Sequence, residues 1–366
     1  MNGNDGHKKE RIVMVSFNTR GGLHHYITQL ANALGEKVEV DLVLPRGSEL
    51  AHISPKVNVR EMDIGNTKKN FIKNTVEFWK IIQLIVFIRD RRPSVVHFNG
   101  CYPWMSFILP FIGDIPTVMT IHDIIPHPGS SKTDVQSVRD MLLAYADRVI
   151  VHGEYARDNI KNVDKEIVRI VPHGNYSFFS NGQTCAEGTE RTFLFFGRIS
   201  EYKGIGYLLR AINELNAEGR DLRLMIVGEG DLTPYEEEMR DRPWLETINR
   251  YVADEEVPKI FGRCMAVVLP YIEVTQSGVV QIALAFGKPV ISTTVGCLPE
   301  IIKDGVNGLL VPSSDVPALK KAIVRLADNC SEAQEMGLRG QHMAGSEYSW
   351  DRIADMTLRV YDEIRR

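Results

Sequence analysis

Two basic residues, Arg198 and Lys203, lie in a loop that follows a short apolar run at residues 193–196. The run reads as a buried strand, Gly197 lets the backbone turn after it, and an amphipathic helical pattern follows the loop. Open α/β sheets bind ligands at the carboxyl ends of their strands, where this loop is predicted to lie. Arginine can bind phosphate oxygens with two donors and lysine adds a point charge, so the pair is suited to a diphosphate.

A second stretch, residues 269–291, has the same order of strand, polar loop and helix. Its helix is predicted to begin near Ser277 and Gly278, so the amides of the first turn lack partners inside the helix and point toward an anion. Glu273, in the loop before this helix, can accept hydrogen bonds from sugar hydroxyls or remain an exposed loop residue. The stretch therefore predicts a second phosphate contact close to the first.

In the first half of the chain, a predicted strand at residues 11–17 runs into Gly21 and Gly22, and a helical pattern begins directly after them. Paired glycines at a helix start let a ligand approach backbone N–H groups, although they also form plain turns. His122 and His173 each follow a predicted strand. A histidine in that place can hydrogen-bond a sugar hydroxyl or a phosphate, or it can be structural.

Short apolar runs alternate with helical patterns along the chain, which is typical of parallel sheets wrapped by helices. The stretch 176–191, rich in Gly, Ser, Asn and charge, interrupts the alternation and is predicted to link two domains. We therefore predict an α/β protein with two doubly wound domains that face each other across a cleft. The predicted strands cover residues 11–17, 38–44, 94–99, 116–121, 148–152 and 168–171 before this stretch, and 192–196, 222–228, 265–270, 289–293 and 308–311 after it.

Composition narrows the classes of function. Of the 366 residues, 44% are hydrophobic and 25% are charged, as in an ordinary globular protein. Residues 1–180 carry 22 Lys and Arg against 19 Asp and Glu, and the remainder 21 against 28, so nucleic acid is not an expected partner. The five cysteines lie at least 33 positions apart, which predicts reduced thiols and no metal site. No signal peptide and no apolar run of ~20 residues is visible, so we expect a cytoplasmic protein.

A local excess of positive charge lies between residues 60 and 92, where eight basic residues stand against four acidic ones. Phe78 and Trp79 lie within it, and residues 101–112 add further aromatic side chains. Basic and aromatic residues together suit an anionic lipid interface, so an anionic membrane surface is a candidate partner at the inner face of the membrane. The alternative is that most of these apolar residues line the sheet as core.

Longer motifs in a fixed order cover nearly all of residues 11–364. They are the Gly21-Gly22 loop with YITQLANAL after it, RPSVVHF, TIHD, VHGEYARDNI, VPHG, FGRISEYKG, VGEGD, FGKPVI, VGCLPEIIKDGVNGLLV and SWDRIADMTLRVYDEI. In this order and spacing the chain resembles the glycosyltransferase family 4 group of retaining, nucleotide-sugar-dependent enzymes. The resemblance implies the GT-B fold of two Rossmann-like domains. The implied bounds are a disordered or cloning-derived tail at 1–10, an acceptor-binding domain at 11–178, a linker at 179–191, a nucleotide-sugar-binding domain at 192–345 and a helix at 346–366 that crosses back to the first domain.

The resemblance also implies roles for single residues. Arg198 and Lys203 hold the donor diphosphate with help from helix amides, His122 contacts the transferred sugar, and the segment 249–257 reads the nucleotide base. The implied catalytic residues are His122, Arg198, Lys203 and Glu273. The implied donor-binding residues are Gly21, Gly22, His173, Gly197, Arg198, Lys203, Tyr251, Val252, Thr275, Gln276, Ser277, Gly278, Val279 and Val280.

One position departs from the family pattern. The family carries two glutamates eight positions apart, and the second, which binds the ribose, is replaced here by Ile282. Isoleucine accepts no hydrogen bond, so Thr275 or Gln276 takes over the contact, or the donor makes fewer demands there, as a deoxyribose donor would. Glu273 is then a displaced counterpart of the first glutamate.

The expected function is retaining transfer of a sugar from a nucleoside-diphosphate donor to a glycan or lipid-linked acceptor, in cell-surface polysaccharide or glycoconjugate biosynthesis. A UDP-sugar is favoured as donor over a GDP- or dTDP-sugar. We expect no metal and no cofactor, because cations and helix amides neutralise the leaving diphosphate. Two alternatives stay open. A catalytically silent partner subunit would fit the lost ribose glutamate, and a nucleotide-sugar 2-epimerase would need paired carboxylates, of which the sequence shows no clear example.

Overall fold

The computed structural model of the protein describes residues 10–64, 77–124, 139–179 and 191–365. The chain divides into two compact units: Met1–Gly174 with Trp350–Arg366, and Asn175–Ser349. Most of the predicted tail at 1–10 and most of the predicted linker at 179–191 lie outside the described residues. The chain therefore leaves the first unit after Gly174 and returns to it at Trp350.

The first unit contains a parallel sheet of seven strands. They are β1 (Arg11–Ser16), β2 (Glu39–Pro45), β3 (Val57–Met62), β4 (Val95–Asn99), β5 (Thr117–Thr120), β6 (Arg148–Val151) and β7 (Val168–Ile170). Their order in the sheet is β3-β2-β1-β4-β5-β6-β7, with Ser16 of β1 opposite Asn99 of β4. The order reverses between β1 and β4, so the loops that follow these two strands flank a topological switch point, the place where open sheets bind ligands.

The second unit contains a parallel sheet of six strands. They are β8 (Thr192–Phe196), β9 (Arg223–Val227), β10 (Leu245–Ile248), β11 (Ala266–Leu269), β12 (Val290–Thr293) and β13 (Gly308–Val311). Their order is β10-β9-β8-β11-β12-β13, and every pairing is parallel. The order reverses between β8 and β11, so the loop with Arg198 and Lys203 leaves the sheet at the switch point.

The sequence patterns that form the longer helices are amphipathic. In the helix Ile205–Ala217, for example, Leu208, Ile212 and Leu215 repeat at helical spacing and are buried. The described helices are α1 (Gly22–Gly35), α2 (Trp79–Arg91), α3 (Met105–Ile108), α4 (Glu154–Asn159), α5 (Ile205–Ala217), α6 (Glu236–Met239), α7 (Val257–Gly262), α8 (Gly278–Ala285), α9 (Leu298–Ile301), α10 (Val316–Asp328), α11 (Cys330–Ser346) and α12 (Trp350–Asp362).

Two strands were not predicted from the sequence, β3 and β10, and both lie at a sheet edge. β3 buries only Val57 and Met62 of its six residues, and β10 buries none of its four fully. An edge strand exposed in this way carries no continuous apolar run, so periodicity does not reveal it. The eleven predicted strands all form, with ends within one residue of the predicted bounds. The predicted fold of two parallel α/β sheets is thus confirmed.

The last helix, α12, packs on α1 of the first unit, as the crossover prediction requires. Ile353 and Tyr361 are fully buried in the same apolar cluster as α1. The Tyr361 hydroxyl lies 2.6 Å from Nδ1 of His97, a buried residue of β4 that is 264 positions away. Lys37 pairs with Asp351 at 2.7 Å. The helix begins at Trp350 rather than at 346, because residue 346 still belongs to α11.

Candidate functional site

In the second unit, the end of β8 packs closely against the end of β9. Gly197 has φ +116° and Gly228 has φ +146°, and a side chain on Gly228 would lie 1.9 Å from the Gly197 carbonyl oxygen. Glycine is therefore required at Gly228 for the two backbones to meet. The amide of Ile199 donates to the Glu229 carbonyl at 2.9 Å, which ties the loop after β8 to the loop after β9. Arg198 lies between these contacts and is exposed, so its guanidinium is open to a ligand.

Lys203 is the unusual cation of this loop because it is buried, with 9% of its surface exposed. It ends a 3-10 turn, Glu201–Lys203, and its Nζ lies 4.0 Å from the ring centroid of Tyr271. A desolvated ammonium over an aromatic face gains roughly 2 kcal/mol or more from the ring. Tyr271 is itself held in place, since its carbonyl accepts from the Thr293 hydroxyl at 2.7 Å. The ring therefore positions the lysine ammonium where β8 and β11 end.

The start of α8 lies beside the same loop. A side chain on Gly197 would lie 3.4 Å from Cγ2 of Val279, and the Ser277 hydroxyl lies 3.2 Å from the Tyr271 hydroxyl. Within the second unit, the loop that carries the two cations and the start of α8 therefore lie close together, as the sequence predicted. Of the three amides expected to meet an anion, that of Val280 already donates to the Ser277 carbonyl at 3.2 Å. The amides of Gly278 and Val279 are left for that role.

The other predicted residues, in the loop before α8, differ in how exposed they are to solvent. Glu273 is exposed and Gln276 is half-buried. Thr275 is buried, and its carbonyl accepts from the amide of Cys297 at 2.8 Å. Ile282 lies in the apolar core of the unit, with its side chain packed among buried apolar residues.

A polar side chain that the sequence analysis passed over lies next to this isoleucine. Gln281 is fully buried, and among the described residues neither its amide oxygen nor its amide nitrogen has a hydrogen-bond partner. A buried amide without partners costs ~1 to 3 kcal/mol. Its sequence context, an apolar helix, carries no signal beyond the polar residue itself.

The segment predicted to read the base follows the edge strand β10. Asn249 exchanges two hydrogen bonds with the backbone of Gly230, at 3.1 and 3.0 Å, so this segment is tied to the loop after β9. Val252 is buried in the core and Tyr251 is half-buried. Arg250 forms two hydrogen bonds with Glu256 and lowers the pKa of that carboxyl to about 2.

In the first unit, a continuous hydrogen-bonded chain runs through His122. Asn99 donates through Nδ2 to the Leu23 carbonyl at 2.9 Å, and its Oδ1 lies 2.7 Å from Nε2 of His122. Nδ1 of His122 lies 2.9 Å from Nε2 of His152, whose Nδ1 donates to the Val171 carbonyl at 2.9 Å. Both ring nitrogens of His122 are therefore engaged, and only 4% of the residue is exposed. A sugar can hydrogen-bond this ring only by replacing one of its two partners.

His173 lies in the same cluster, with its ring centroid 5.3 Å from that of His152. Its Nδ1 donates to the Gly174 carbonyl at 2.7 Å. Burial lowers the pKa of His173 to about 4 and that of His152 to about 3, and it lowers the pKa of His122 as well. All three rings are thus neutral near pH 7. Gly21, with φ +77°, and Gly22 stand at the start of α1 as predicted.

The predicted residues thus fall into two groups. Gly21, Gly22, His122 and His173 belong to the first unit, and all the other predicted site residues belong to the second. Sequence reasoning missed Tyr271, Asn99 and His152. One signal was available for His152, because it follows a strand just as His122 and His173 do.

Two family models match the chain. Residues 20–174 match the model described as Glycosyltransferase Family 4, and residues 190–329 match the model described as Glycosyl transferases group 1. An uncharacterized glycosyltransferase of Methanocaldococcus jannaschii is 30% identical over 295 residues, which cover 73% of this chain and 75% of that protein.

Solved structures share the fold. The sucrose-phosphate synthase of Thermosynechococcus elongatus has a TM-score of 0.77 and 19% identity, with 97% of this chain and 99% of that one covered. HepE of Anabaena, solved in complex with UDP-glucose, has a TM-score of 0.72 and 15% identity, with 97% and 100% covered. At these identities the similarity to the two structures shows the fold alone.

Proposed function

The chain belongs to the group 1 and Family 4 glycosyltransferases, and we propose that it is a retaining enzyme that transfers a sugar from a nucleoside-diphosphate donor to a glycan or lipid-linked acceptor. The observation that carries the proposal is the grouping of Arg198, Lys203 and the first amides of α8 around the switch point of the second sheet. Two cations and a helix start in one place suit a diphosphate. We further propose a role in cell-surface polysaccharide or glycoconjugate synthesis in the cytoplasm.

The proposed mechanism needs no covalent nucleophile. The leaving diphosphate takes the acceptor proton on the face from which it departs, while Arg198, Lys203 and the helix amides neutralise the charge that develops on it. Interactions that are stronger in the transition state than with the bound donor lower the activation barrier. Interactions that are equally strong in both states only tighten the binding of the donor. No metal or other cofactor takes part in this proposal, since the protein cations supply the positive charge. In this proposal His122 contacts the transferred sugar, as the sequence resemblance implies.

The donor is proposed to be a UDP-sugar, because HepE, a structural neighbour, was solved with UDP-glucose. A dTDP-sugar stays an alternative because its deoxyribose lacks one hydroxyl and Ile282 accepts no hydrogen bond, and a GDP-sugar stays possible as a donor. In a thermal-unfolding screen of UDP-, GDP- and dTDP-sugars, we expect the donor to raise the melting temperature. At ~100 times its dissociation constant, a ligand adds about 2.7 kcal/mol. A screen in which none of the nucleotides shifts melting would contradict the donor assignment.

Product analysis separates this function from its two rivals. A transferase makes a glycosylated acceptor with the anomeric configuration of the donor, a 2-epimerase changes the donor sugar alone, and a silent partner subunit does neither. Transfer that stops with EDTA and returns with Mg²⁺ would contradict the metal-independent mechanism.

The proposal includes contact with an anionic membrane through the first unit. On α2, Trp79, Ile82 and Val86 form an exposed stripe, each 49% exposed. Phe111, 59% exposed, lies beside the end of this helix, because its carbonyl accepts from Arg89 of α2 at 2.8 Å. The local excess of basic residues between positions 60 and 92 complements an anionic surface. Lys68, Lys69, Phe71 and Lys73, which contribute to this region, lie outside the described residues. Among the described helices, none combines the length and apolarity needed to cross a bilayer.

Vesicle sedimentation tests this contact. We expect binding to anionic but not neutral liposomes, and a loss of at least ~10-fold when Trp79 and Phe111 are both changed to serine, because inserting one such side chain is worth ~1.5 to 3 kcal/mol. The matched control is Leu338→Ser, which removes a 62% exposed apolar side chain from the second unit. Absence of sedimentation at low salt, or an equal loss in the control, would contradict the contact.

A further inference from the structure

Three loops that leave adjacent strands of the second sheet meet at Gly230. The strands are β8, β9 and β10, and Gly230 lies in the loop after β9. On one side, Gly230 pairs with Ile199 of the loop after β8 through a single parallel bridge. A side chain on Gly230 would lie 2.2 Å from the Ile199 carbonyl oxygen, so only glycine lets the two backbones approach this closely. Arg198, which directly precedes Ile199, is therefore held against the loop after β9.

On its other side, Gly230 is bound by the side chain of Asn249. Backbone pairing of β9 with β10 reaches the Gly228 amide, which donates to the Ile248 carbonyl at 3.0 Å. Beyond that point the Asn249 side chain takes the place of a backbone partner. The Gly230 amide donates to Oδ1 of Asn249 at 3.1 Å, and Nδ2 of Asn249 donates to the Gly230 carbonyl at 3.0 Å. A backbone N–H only donates and a carbonyl only accepts, so these two contacts admit one orientation of the asparagine amide.

The segment after Asn249 is closed on itself, so a contact at its start can set where it lies. Arg250 donates two hydrogen bonds to Glu256, at 2.8 and 2.6 Å, which joins the two ends of the segment. Val252, which is buried in the core of the unit, holds its middle. Asn249 joins its start to Gly230, and through Gly230 to the loop after β8.

We infer that Asn249 is a positioning residue: it holds the segment 249–257 at a fixed distance from Arg198, so that a nucleoside diphosphate meets its base contact and its phosphate contact together. The inference rests on the proposed function, because the family resemblance implies that this segment reads the base. When two contacts are already held at the spacing that a ligand requires, binding does not have to order them, and the affinity is higher. Loss of the tie should therefore weaken a ligand that uses both contacts and spare a ligand that uses the phosphate contact alone.

The experiment compares ligands with and without a base. The probes are UDP, GDP, dTDP and inorganic pyrophosphate, and their dissociation constants are measured by calorimetry on the full-length protein. Asn249→Leu keeps the approximate size of the side chain but has neither donor nor acceptor. In this variant we expect the nucleotide that wild type binds best to bind roughly 5- to 10-fold more weakly. Pyrophosphate should change by no more than about 2-fold. Arg198→Ala should instead weaken both kinds of ligand, because it removes the phosphate contact itself.

Asn216 of α5 offers a matched control, because it forms the same pair of hydrogen bonds at the opposite end of β9. Its Nδ2 donates to the Leu222 carbonyl at 3.0 Å, and its Oδ1 accepts from the Leu222 amide at 2.9 Å. Leu222 directly precedes β9, whereas Gly230 follows it. Asn249 is exposed and Asn216 is half-buried, so Asn216→Leu should lower the melting temperature at least as much as Asn249→Leu. It should leave the affinity for all four ligands unchanged.

Hydrogen exchange tests the tie without any ligand. We expect the Gly230 amide to be protected in wild type and in Asn216→Leu, and to lose this protection in Asn249→Leu, which removes its acceptor. An unprotected Gly230 amide in wild type, or unchanged exchange in Asn249→Leu, overturns the tie. Equal weakening of nucleotide and pyrophosphate in Asn249→Leu, or weakening of neither, overturns the role in positioning the base contact. If wild type binds none of the three nucleotides, the proposed function fails, whereas the exchange result still decides whether Asn249 joins the loops.

Discussion

Replacing Lys203 with alanine is expected to lower sugar transfer by roughly 10- to 150-fold, because a charge-assisted hydrogen bond is worth ~1.5 to 3 kcal/mol. The Lys203→Ala variant should lose transfer activity without losing folding stability. Lys203 is buried, and the structure shows its ammonium in contact with the ring of Tyr271. The cost of burying the ammonium and the gain from the Tyr271 ring oppose each other, so we expect the melting temperature to change little.

Neighbouring variants sharpen this test. Arg198→Ala should lower transfer over the same range, and Tyr271→Leu should reduce it in part by removing the ring under the ammonium. Tyr271→Phe keeps the ring and should stay near wild type. Arg210→Ala, an exposed arginine on α5 of the same unit, is the matched charge control. Full transfer by Lys203→Ala at both limiting and saturating donor would refute the diphosphate assignment.

Deleting residues 350–366 is expected to unfold the first unit while the second stays folded. The deletion removes Ile353 and Tyr361, which are fully buried against α1, and leaves His97 without its 2.6 Å contact to the Tyr361 hydroxyl. The single change Ile353→Ala should already cost ~2 to 5 kcal/mol of the stability of the first unit. Arg359→Ala, an exposed position on the same helix, is the control and should stay within ~0.5 kcal/mol.

Hydrogen exchange with mass spectrometry reads the two units separately. We expect peptides from α1 and β1 to lose protection in the deletion variant and peptides from β8 and β11 to keep it. A global unfolding curve is less informative, because a chain of two units need not unfold in one transition. Retained protection of α1 without α12 would show that the contact is not needed for the first unit.

The succession of strands, turns and helices could be predicted from the sequence, because each element depends mainly on residues close to it in the chain. The apolar run of β8, the turn at Gly197 and the helix after it are set by residues within about twenty positions, and the eleven buried strands were found in the same way. β3 and β10 were missed because edge strands do not bury enough side chains to form an apolar pattern. The order of motifs also identified the family, which the comparisons confirm.

The surroundings of each functional side chain depended on contacts that sequence order does not reveal. The sequence showed that Lys203 lies in a loop after a strand, but its burial over Tyr271 arises because β8 and β11 are neighbours in the sheet. Likewise His122 and His152, 30 positions apart, meet because they follow the adjacent strands β5 and β6.

By itself, then, the sequence determined the two parallel α/β sheets, the family and the loops that carry the candidate residues, since local periodicity and motif order encode these. Only the tertiary structure decided which side chains are desolvated, which histidines contact one another and what the last helix packs against. Burial and hydrogen bonding depend on distances between residues far apart in the chain, and strand order together with helix packing sets those distances.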